Sequence, residues 1–374
     1  MPTTYQVLFN GTPADDSFYN QLSSLEVEEN ADLPGAIQLS LPVGTDNGDL
    51  SFVNDSRFAP FSNIAVVVTP PQGSAECIFD GYVLTSKLHL ERGIVSSKLE
   101  VWGQDASWLM NLEEKVNEWV DVTDADVAAS IFGNYGFTPA SDNSQDDSPA
   151  HTEDGHSLMQ RATDMAFLRS LARATGKLCR VTCADQAGVR TGYFARPNLD
   201  GDAVVTLNLN DPDAWNVGPL DLEWDATRPT SVSAGQIFLD NSDASVSLSD
   251  SGLTPLDAQD LAVFSGKTTS VLLAAPADSA DELTLRAQGL LEDANWFARC
   301  EGECDVARLQ AVLRVGTIVE VAGIGSINSG NYLVWSVRHT IAADSHKMHF
   351  VLVRNAMGPP PSNSGGLTGL LGGL

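Results

Sequence analysis

The stretch Gly316–His339, GTIVEVAGIGSINSGNYLVWSVRH, carries two runs in which apolar and polar residues alternate. In the first run, Val319 and Val321 flank Glu320. In the second, a spacing of two places five residues on one side of an extended chain: Leu333, Trp335, Val337, His339 and Ile341. A period of two is typical of a strand that is buried on one face. The glycines between the runs allow a sharp turn, so the stretch predicts two strands joined by a turn.

The same alternation continues on both sides of this stretch. Met348, Phe350 and Leu352 predict a hairpin partner for the second strand. Further half-buried strands are predicted near the amino terminus, at Tyr5, Val7, Phe9, Leu25, Val27, Ile37, Leu39, Leu41, Leu99 and Val101. Residues 64–68 are apolar throughout, as expected of a strand covered on both sides. Many short strands separated by Asn-Gly and Pro-Pro turn signals favour a barrel or a sandwich.

Two segments after residue 104 have helical spacing. The first, from Asp105 to about Trp119, places Trp108, Leu109 and Leu112 on one face. The second begins with Thr123 three residues before Asp126, a spacing that resembles a capping box. Its apolar stripe is Val127, Ala128, Ile131 and Phe132, with Gly136 as the stop signal.

Two more helices are predicted further along. Asp164 can cap the first, which Gly176 closes. Its apolar residues are Met165, Leu168, Leu171 and Ala172. The other helix covers residues 283–297, and the polar, acidic residues 141–155 predict a loop.

Composition limits the function. A chain of 374 residues is long enough for two to four domains. Its 21 Lys and Arg against 49 Asp and Glu give a net charge of −28, and no basic cluster forms. We therefore expect no tight nucleic-acid binding, which needs basic patches. Adaptation to salt and repulsion of a polyanion both remain open as reasons for the acidity.

No apolar run approaches the length of a membrane span, and Met1–Asn10 lacks the features of a secretory signal. We therefore expect neither a membrane anchor nor classical export.

Five cysteines do not indicate a disulfide framework. The pairs Cys179 with Cys183 and Cys300 with Cys304 share a three-residue gap and could in principle supply four zinc ligands. The first pair lies in a strand-like run, where residues four apart are separated by about 13 Å. Buried free thiols are therefore favoured, and no metal or cofactor is predicted.

Motifs for other chemistry fail on inspection. The sequence has no G-x-S-x-G, no H-E-x-x-H and no phosphate-binding P-loop. Gly323-Ile324-Gly325 lacks the third glycine of a dinucleotide fingerprint. The EF-hand-like rhythm of residues 142–146 (Asp142, Ser144 and Asp146) meets Asp147 where calcium loops need glycine. No catalytic residue is predicted.

Two sets of polar residues, a glutamate pair and three histidines, are expected to have no catalytic or metal-binding role. Glu113 and Glu114 are expected on the solvated face of a helix. His339 is expected to be a core or interface histidine. His346 and His349 could hold a metal between them, but a structural role is favoured.

The last 17 residues, 358–374, combine a proline run at 359–361 with a Ser/Gly-rich stretch. Four leucines follow: Leu367, Leu370, Leu371 and Leu374. A plain linker does not need them, so they are candidates for docking a partner. A disordered end is the alternative, and the two stay open.

Three sets of residues resemble a known family. The first is the glycine-rich double run of residues 316–339. The second is Asp164–Gly176, which matches D-x-x-F-L-x-x-L-A-x-x-x-G, and the third runs from Gly103-Gln104-Asp105 to Gly136. They resemble the phage late control D family, the baseplate hubs of contractile tails. That family is similar to the hub part of valine-glycine-repeat spike proteins in type VI secretion.

The resemblance implies a fold class: mainly β with α+β insertions, containing two tail-tube-like antiparallel β-barrels and smaller helix-containing domains. We expect an N-terminal barrel at 1–104, a helix-rich insertion at 105–200 and a β-rich connecting domain at 201–270. The second barrel is expected at 271–357, followed by the Pro/Gly/Leu tail at 358–374.

The resemblance also implies a structural function without catalysis. Three copies would present six barrels to a hexameric tail tube and receive a trimeric spike. The expected partners are two further copies, a tube or tube-initiator protein, wedge proteins of the baseplate, and a spike on a separate polypeptide, because no OB-fold or β-helix repeat follows residue 357.

The expected location is a virion tail baseplate or a related injection particle, assembled in the cytoplasm of a bacterial or archaeal host. Two rival functions are a murein-degrading tail enzyme and a β-rich carbohydrate-binding adhesin. The enzyme would need a carboxylate pair in a cleft, and the adhesin a row of exposed aromatic residues.

Overall fold

The computed structural model describes residues 3–46, 49–92, 96–145, 147–153, 157–183, 186–238, 242–342 and 344–359. The four tail leucines therefore lie outside the described residues. The strands are β1 (Thr4–Phe9), β2 (Thr12–Pro13), β3 (Ser24–Asn30), β4 (Ala36–Pro42), β5 (Thr45–Asp46), β6 (Asp49–Leu50), β7 (Asn63–Thr69), β8 (Glu76–His89), β9 (Lys98–Asp105), β10 (Glu114–Trp119), β11 (Thr138–Pro139), β12 (Leu158–Thr163), β13 (Leu178–Cys183), β14 (Arg190–Ala195), β15 (Thr206–Asn208), β16 (Val217–Trp224), β17 (Ser231–Ile237), β18 (Asp243–Leu248), β19 (Ser270–Leu273), β20 (Ala298–Asp305), β21 (Ile318–Ala322), β22 (Gly330–Ile341) and β23 (His346–Arg354).

The helices contain fewer residues in total than the strands. They are α1 (Asp16–Gln21), α2 (Asp124–Asn134), α3 (Asp164–Ala174), α4 (Leu261–Ser265), α5 (Ala280–Asn295) and α6 (Val306–Leu309). Single 3-10 turns cover Ser56–Phe58, Ala106–Asn111 and Ser141–Ser144. No helix in the described part of the chain is both long and apolar enough to cross a bilayer.

One 13-stranded sheet dominates the molecule. Its order is β16-β20-β23-β22-β3-β4-β9-β8-β7-β1-β2, with β21 also paired to β22 and β15 paired to β21. Nearly all its ladders are antiparallel; β15 with β21 is parallel. The mainly β fold class with α+β insertions is therefore confirmed.

The two predicted barrel regions meet at β22. Residues 330–333 of this strand pair with β21, whereas residues 336–341 pair with β3. A β-bulge between Val334 and Ser336 in the ladder to β23 separates the two halves of β22. The amino-terminal and carboxy-terminal strands are thus continuous through β3 and β22.

The bulge makes one prediction wrong. Leu333, Trp335, Val337, His339 and Ile341 do not share a face, because a bulge shifts the alternation by one residue. Val334, Val337 and Ile341 join the main core, whereas Leu333 and Trp335 pack in a separate cluster with Leu199 and Leu256. Met348, Phe350 and Leu352 face the main core from the hairpin partner, as predicted.

The main core is shared between both halves of the sheet. It contains Val7, Leu25 and Val101 from the amino-terminal half together with Val321 and Leu352 from the carboxy-terminal half. The predicted alternation near the amino terminus is confirmed, since the inward residues of β1, β3, β4 and β9 are buried. Burial of this one large cluster stabilises both halves together.

Smaller layers carry the helices. The sheet β11-β14-β13 packs with α2 and α3 around Ile131, Phe132 and Leu168. The sheet β18-β17-β19 is covered by α5 through Ala287 and Leu291.

The ends of α2 follow the sequence. Thr123 and Asp126 form the predicted capping box, and Gly136 has φ +71° just beyond the helix. Helix α5 begins at Ala280, three residues before its predicted start, because Ser279 caps it by accepting from the Glu282 amide.

The predicted cap of α3 is wrong. Thr163 caps it, with Oγ1 accepting from the Ala166 amide at 3.3 Å. Asp164 is buried instead and accepts hydrogen bonds from Lys115, Tyr135 and Gln160. It thereby ties α3 to β10, α2 and β12.

The predicted helix at 105–119 is also wrong. Asp105 caps only a 3-10 turn over Ala106–Asn111, and Glu114–Trp119 is strand β10. Trp108 stacks on Phe61 of the barrel region with ring centroids 5.0 Å apart. Pairing of β10 with β12 overrides the local helical period, as tertiary contacts commonly do.

The strand pairing bears on the predicted domain boundaries. β15 and β16 lie within 201–270, yet they pair with β21 and β20 of the predicted second barrel. The four domain boundaries remain a prediction, with these two strands assigned by the sheet to the second barrel region.

Candidate functional site

The cysteine pairs lie on separate sheets. Cys179 and Cys183 are on β13, Cys300 and Cys304 are on β20, and all five thiols are free. Burial raises the pKa of Cys179, Cys300 and Cys304 to about 12. Since metals bind the thiolate, this burial disfavours the four-ligand site considered above. Among the described residues, no group of three or more His, Cys, Asp or Glu side chains is arranged to hold a metal.

The histidines pair differently from the spacing considered in the sequence. His346 points into the core, whereas His349 is exposed and contacts Glu303 at 2.8 Å, so these two do not hold a metal between them. His346 Nε2 lies 3.0 Å from Nδ1 of His339, which is fully buried. His339 is therefore a core histidine, as predicted.

The EF-hand-like run 142–146 begins in a short turn. Asp142 and Ser144 lie in a 3-10 turn, and Asp146 is outside the described residues. Glu113 and Glu114 are solvated as predicted, although Glu114 begins β10, Glu113 directly precedes it, and neither lies on a helix.

Charged contacts join the insertion to both halves of the sheet. Arg314 Nε lies 2.9 Å from Glu29 of β3, and its Nη1 lies 3.4 Å from Glu76 of β8. Burial acts to lower the pKa of Arg314, but these two carboxylates outweigh it and raise the pKa above its usual value. The same guanidinium donates to the Cys183 carbonyl on β13 at 3.4 Å. One side chain of the carboxy-terminal half thus contacts the amino-terminal half of the sheet and strand β13 of the insertion, beside a cavity of about 360 Å³.

A second ion pair crosses the same junction. Asp80 of β8 contacts Arg190 of β14 at 2.7 Å and also accepts from Asn63. Burial acts to raise the pKa of Asp80, but the hydrogen bonds from Arg190 and Asn63 lower it below its usual value. Sequence reasoning missed Arg314 and Asp80. The available signal for Arg314 was a single charge inside the apolar run 311–315, directly before Gly316.

The Gly103-Gln104-Asp105 motif has a packing role. A Cβ on Gly103 would lie 2.5 Å from the Tyr82 carbonyl oxygen and 2.8 Å from Ile37 Cγ2. Asp105 is buried, accepts from the Gly35 and Ser107 amides, and has a pKa raised by burial. The motif lets β8, β9 and the following turn approach closely.

The outward side of strands β3, β22, β23, β20 and β16 forms a charged surface. We call it the polar sheet face; its charged members are Glu26, Glu28, Asp221, Glu223, Glu301, Glu303, Arg299, Arg338, Lys347 and His349. Six carboxylates face three permanent cations there. The cations sit in exposed ion pairs, such as Arg338 with Glu28 at 2.8 Å. Glu26, Asp221 and Glu223 form no ion pair with the described residues, so the face has an acidic excess.

The fold is that of phage tail proteins. A tail protein from Neisseria meningitidis MC58 matches with a TM-score of 0.66 at 14% identity, over 95% of this chain and 97% of that chain. The 43 kDa tail protein of prophage MuSo2 from Shewanella oneidensis gives 0.66 at 13% identity, over 95% and 99%.

A type VI secretion protein shares the fold as well. It is a component of the E. coli system, described as similar to the bacteriophage T4 tail proteins gp27 and gp5. Its TM-score is 0.56 at 11% identity, over 95% of this chain and 79% of that chain. The resemblance to hub-like tail proteins is therefore confirmed for the fold.

The family is given by a sequence model. The model of the Alg8 N-terminal domain matches residues 2–343, and the chain belongs to that family. No curated protein matches the sequence.

Proposed function

We propose that this protein is the structural baseplate hub of a contractile phage tail or a related injection particle. In this role it acts without catalysis, as a trimer between a hexameric tail tube and a separate trimeric spike. The observation that carries the proposal is a match to two phage tail proteins over nearly the whole of all three chains.

The strand count supports the symmetry argument. The amino-terminal half of the sheet has the strands β1, β3, β4, β7, β8 and β9 with the two-residue β2 at its edge, and the carboxy-terminal half has β15, β16, β20, β21, β22 and β23. Two β-units of similar size per chain become six in a trimer, which matches a hexameric ring. Such a ring closes through head-to-tail contacts between copies.

The polar sheet face supports a role in a channel. We propose that it lines the bore, because its acidic excess repels nucleic-acid phosphates and keeps a passing polyanion from binding. Three arginines have partners away from this face: half-buried Arg180 donates to the Val315 carbonyl, Arg190 pairs with Asp80, and Arg173 pairs with Asp32. On the face itself, Arg299 and Arg338 are paired with Glu301 and Glu28.

Light scattering of the protein mixed with the spike encoded beside it tests the proposal. We expect a complex of three chains with three spike chains, and a spike from an unrelated particle serves as the control. At −28 per chain, self-repulsion favours monomers until the spike is added. A stable dimer, or no complex with the cognate spike, would contradict the hub function.

Incubation with a murein suspension tests the absence of catalysis. We expect its turbidity to match that of a buffer control. Clearing that one carboxylate substitution abolishes would instead establish a murein-degrading enzyme.

A further inference from the structure

An apolar patch lies uncovered at one edge of the large sheet. Strand β16 is the terminal strand, and its Leu222 and Trp224 lie opposite Cys300 and Ala298 of β20. Directly opposed residues in an antiparallel ladder project to the same side. Since Cys300 and Ala298 are buried, Leu222 and Trp224 project toward the core side, yet they are 42% and 56% exposed.

Aromatic rings connect this edge to the interior. The Trp224 ring meets Phe264 of α4 edge-on at 5.5 Å, and Phe264 lies 5.9 Å from the buried ring of Phe297. We call Leu222, Trp224 and Phe264 the β16 apolar patch. Apolar side chains at such a position gain free energy when another segment covers them.

The chain leaves the core beside this patch. Met357 is buried in one cluster with Phe264 and Phe297. It pairs through its backbone with Gln259, and Gly358 donates to the Ile327 carbonyl at 2.9 Å. Pro359 is exposed. The described chain therefore ends two residues beyond a side-chain cluster that includes Phe264 of the patch.

We propose that residues 367–374 of the same chain cover the β16 apolar patch in the free protein. Leu367, Leu370, Leu371 and Leu374 have the i, i+3, i+4, i+7 spacing with which apolar anchors bind a groove. The eight residues from Pro359 to Leu367 can span about 25 Å. The rings of Trp224, Phe264 and Phe297 follow one another at only 5.5 and 5.9 Å. This inference does not depend on the proposed hub function.

Tethering favours the chain's own segment over a second copy. A short flexible linker holds its end at an effective concentration of about 1 mM, far above the concentration of a protein solution. Gly369, Gly372 and Gly373 make ordering of the segment costly. At this effective concentration, a tail segment that binds the patch with a dissociation constant of about 1 mM covers it about half of the time.

Acrylamide quenching of Trp224 tests the contact in the full-length chain. Replacing all four leucines by serine should raise the contribution of Trp224 to quenching by about twofold, because a segment that covered the ring about half of the time no longer does so. Subtracting the same measurement in a Trp224→Phe background isolates this tryptophan from the other six. The control S362G/N363G/S364G changes three tail residues without touching a leucine and should leave quenching unchanged.

Three results would overturn the proposal. One is equal quenching with and without the leucines, and another is the same increase in the Trp224→Phe background. The third is protection of Trp224 from quenching that increases with protein concentration, while light scattering shows the molecular mass of the protein increasing as well. That result would mean that a second copy covers the patch. Circular dichroism of each variant checks that the strands remain folded.

Discussion

His339 and His346 are enclosed in the core, where one imidazole must donate to the other across 3.0 Å. The outer nitrogens, Nε2 of His339 and Nδ1 of His346, have no hydrogen-bond partner in the described part of the chain. Burial lowers the pKa of both rings, that of His346 to about 4. His346 and, less strongly, Arg314 also disfavour the charged form of His339, and Asp305 only partly offsets burial at His346.

These histidines predict acid sensitivity. Between pH 6.5 and about 4 the unfolded chain binds protons that the folded chain does not, so the free energy of unfolding falls as pH falls. The loss reaches about 1.4 kcal/mol per pH unit for each histidine. Urea unfolding across this range should show the slope in the natural chain and a flatter one in H339L/H346L. The exposed-site variant His89→Gln should keep the natural slope; a slope retained in H339L/H346L would contradict the assignment.

Gly103 predicts a steric effect at one residue. Gly103→Ala forces a methyl group against the Tyr82 carbonyl and Ile37, and should lower the free energy of unfolding by about 1–3 kcal/mol. Gly133 in α2 has nothing within 4 Å of an added Cβ, so Gly133→Ala should raise it by about 0.5–1 kcal/mol. Urea midpoints compare the two, and equal effects would show that the close approach at Gly103 is unimportant.

At the scale of elements, what the sequence predicts well is local. The capping box at Thr123, the stop at Gly136 and the alternation in β1, β3, β4 and β9 depend on neighbouring residues, and all are confirmed. The bulge in β22 was not predictable, because it lies where the partner of β22 changes from β21 to β3, strands far apart in the sequence. Strand β10 was missed for a similar reason, since β12 lies about forty residues later.

The candidate site shows the same division. The sequence predicts buried thiols and a core histidine because burial follows from the apolar neighbours. It could not predict that Arg314 meets Glu29, a residue 285 positions away. The chain has 49 Asp and Glu residues, and the sequence does not indicate which of them pairs with Arg314.

The contacts of Arg314 predict that it helps to hold the two halves of the sheet and the insertion together. Arg314→Met leaves Glu29 and Glu76 without their shared cation and should lower the free energy of unfolding by about 2–3 kcal/mol. Arg314→Lys keeps the charge but loses the planar fork, so an intermediate loss is expected. The exposed pair of Arg299 with Glu301 supplies the control, because Arg299→Met should cost under about 1 kcal/mol in the same urea titration. Similar losses for Arg314→Met and Arg299→Met would contradict this role.

At the scale of the whole molecule, charge and topology point to the same surface. The net charge of −28 is distributed over a chain whose largest sheet carries an acidic excess on one side. A continuous sheet from β16 to β2 makes the two β-units one body, as a ring-forming subunit requires.

Reversing the unpaired carboxylates tests the charge argument. The variant E26K/D221K/E223K changes only side chains without an ion pair in the described residues, so we expect little change in stability. This variant should bind DNA more tightly than the natural chain, and its binding should weaken as salt is added. Fluorescence anisotropy at 50 and 200 mM salt measures both effects, because phosphate contacts are screened over roughly this range. The control E153K/D213K/D243K has the same charge change at exposed sites away from the polar sheet face. Equal DNA binding by both variants would show that net charge alone matters.

End-on averages of the assembled hub and spike, obtained by electron microscopy, test the symmetry-adaptor proposal most directly. We expect three chains presenting six β-units around a pore, with the polar sheet face toward the pore. A ring with another number of units, or a pore lined by the helices α2, α3 and α5, would contradict it.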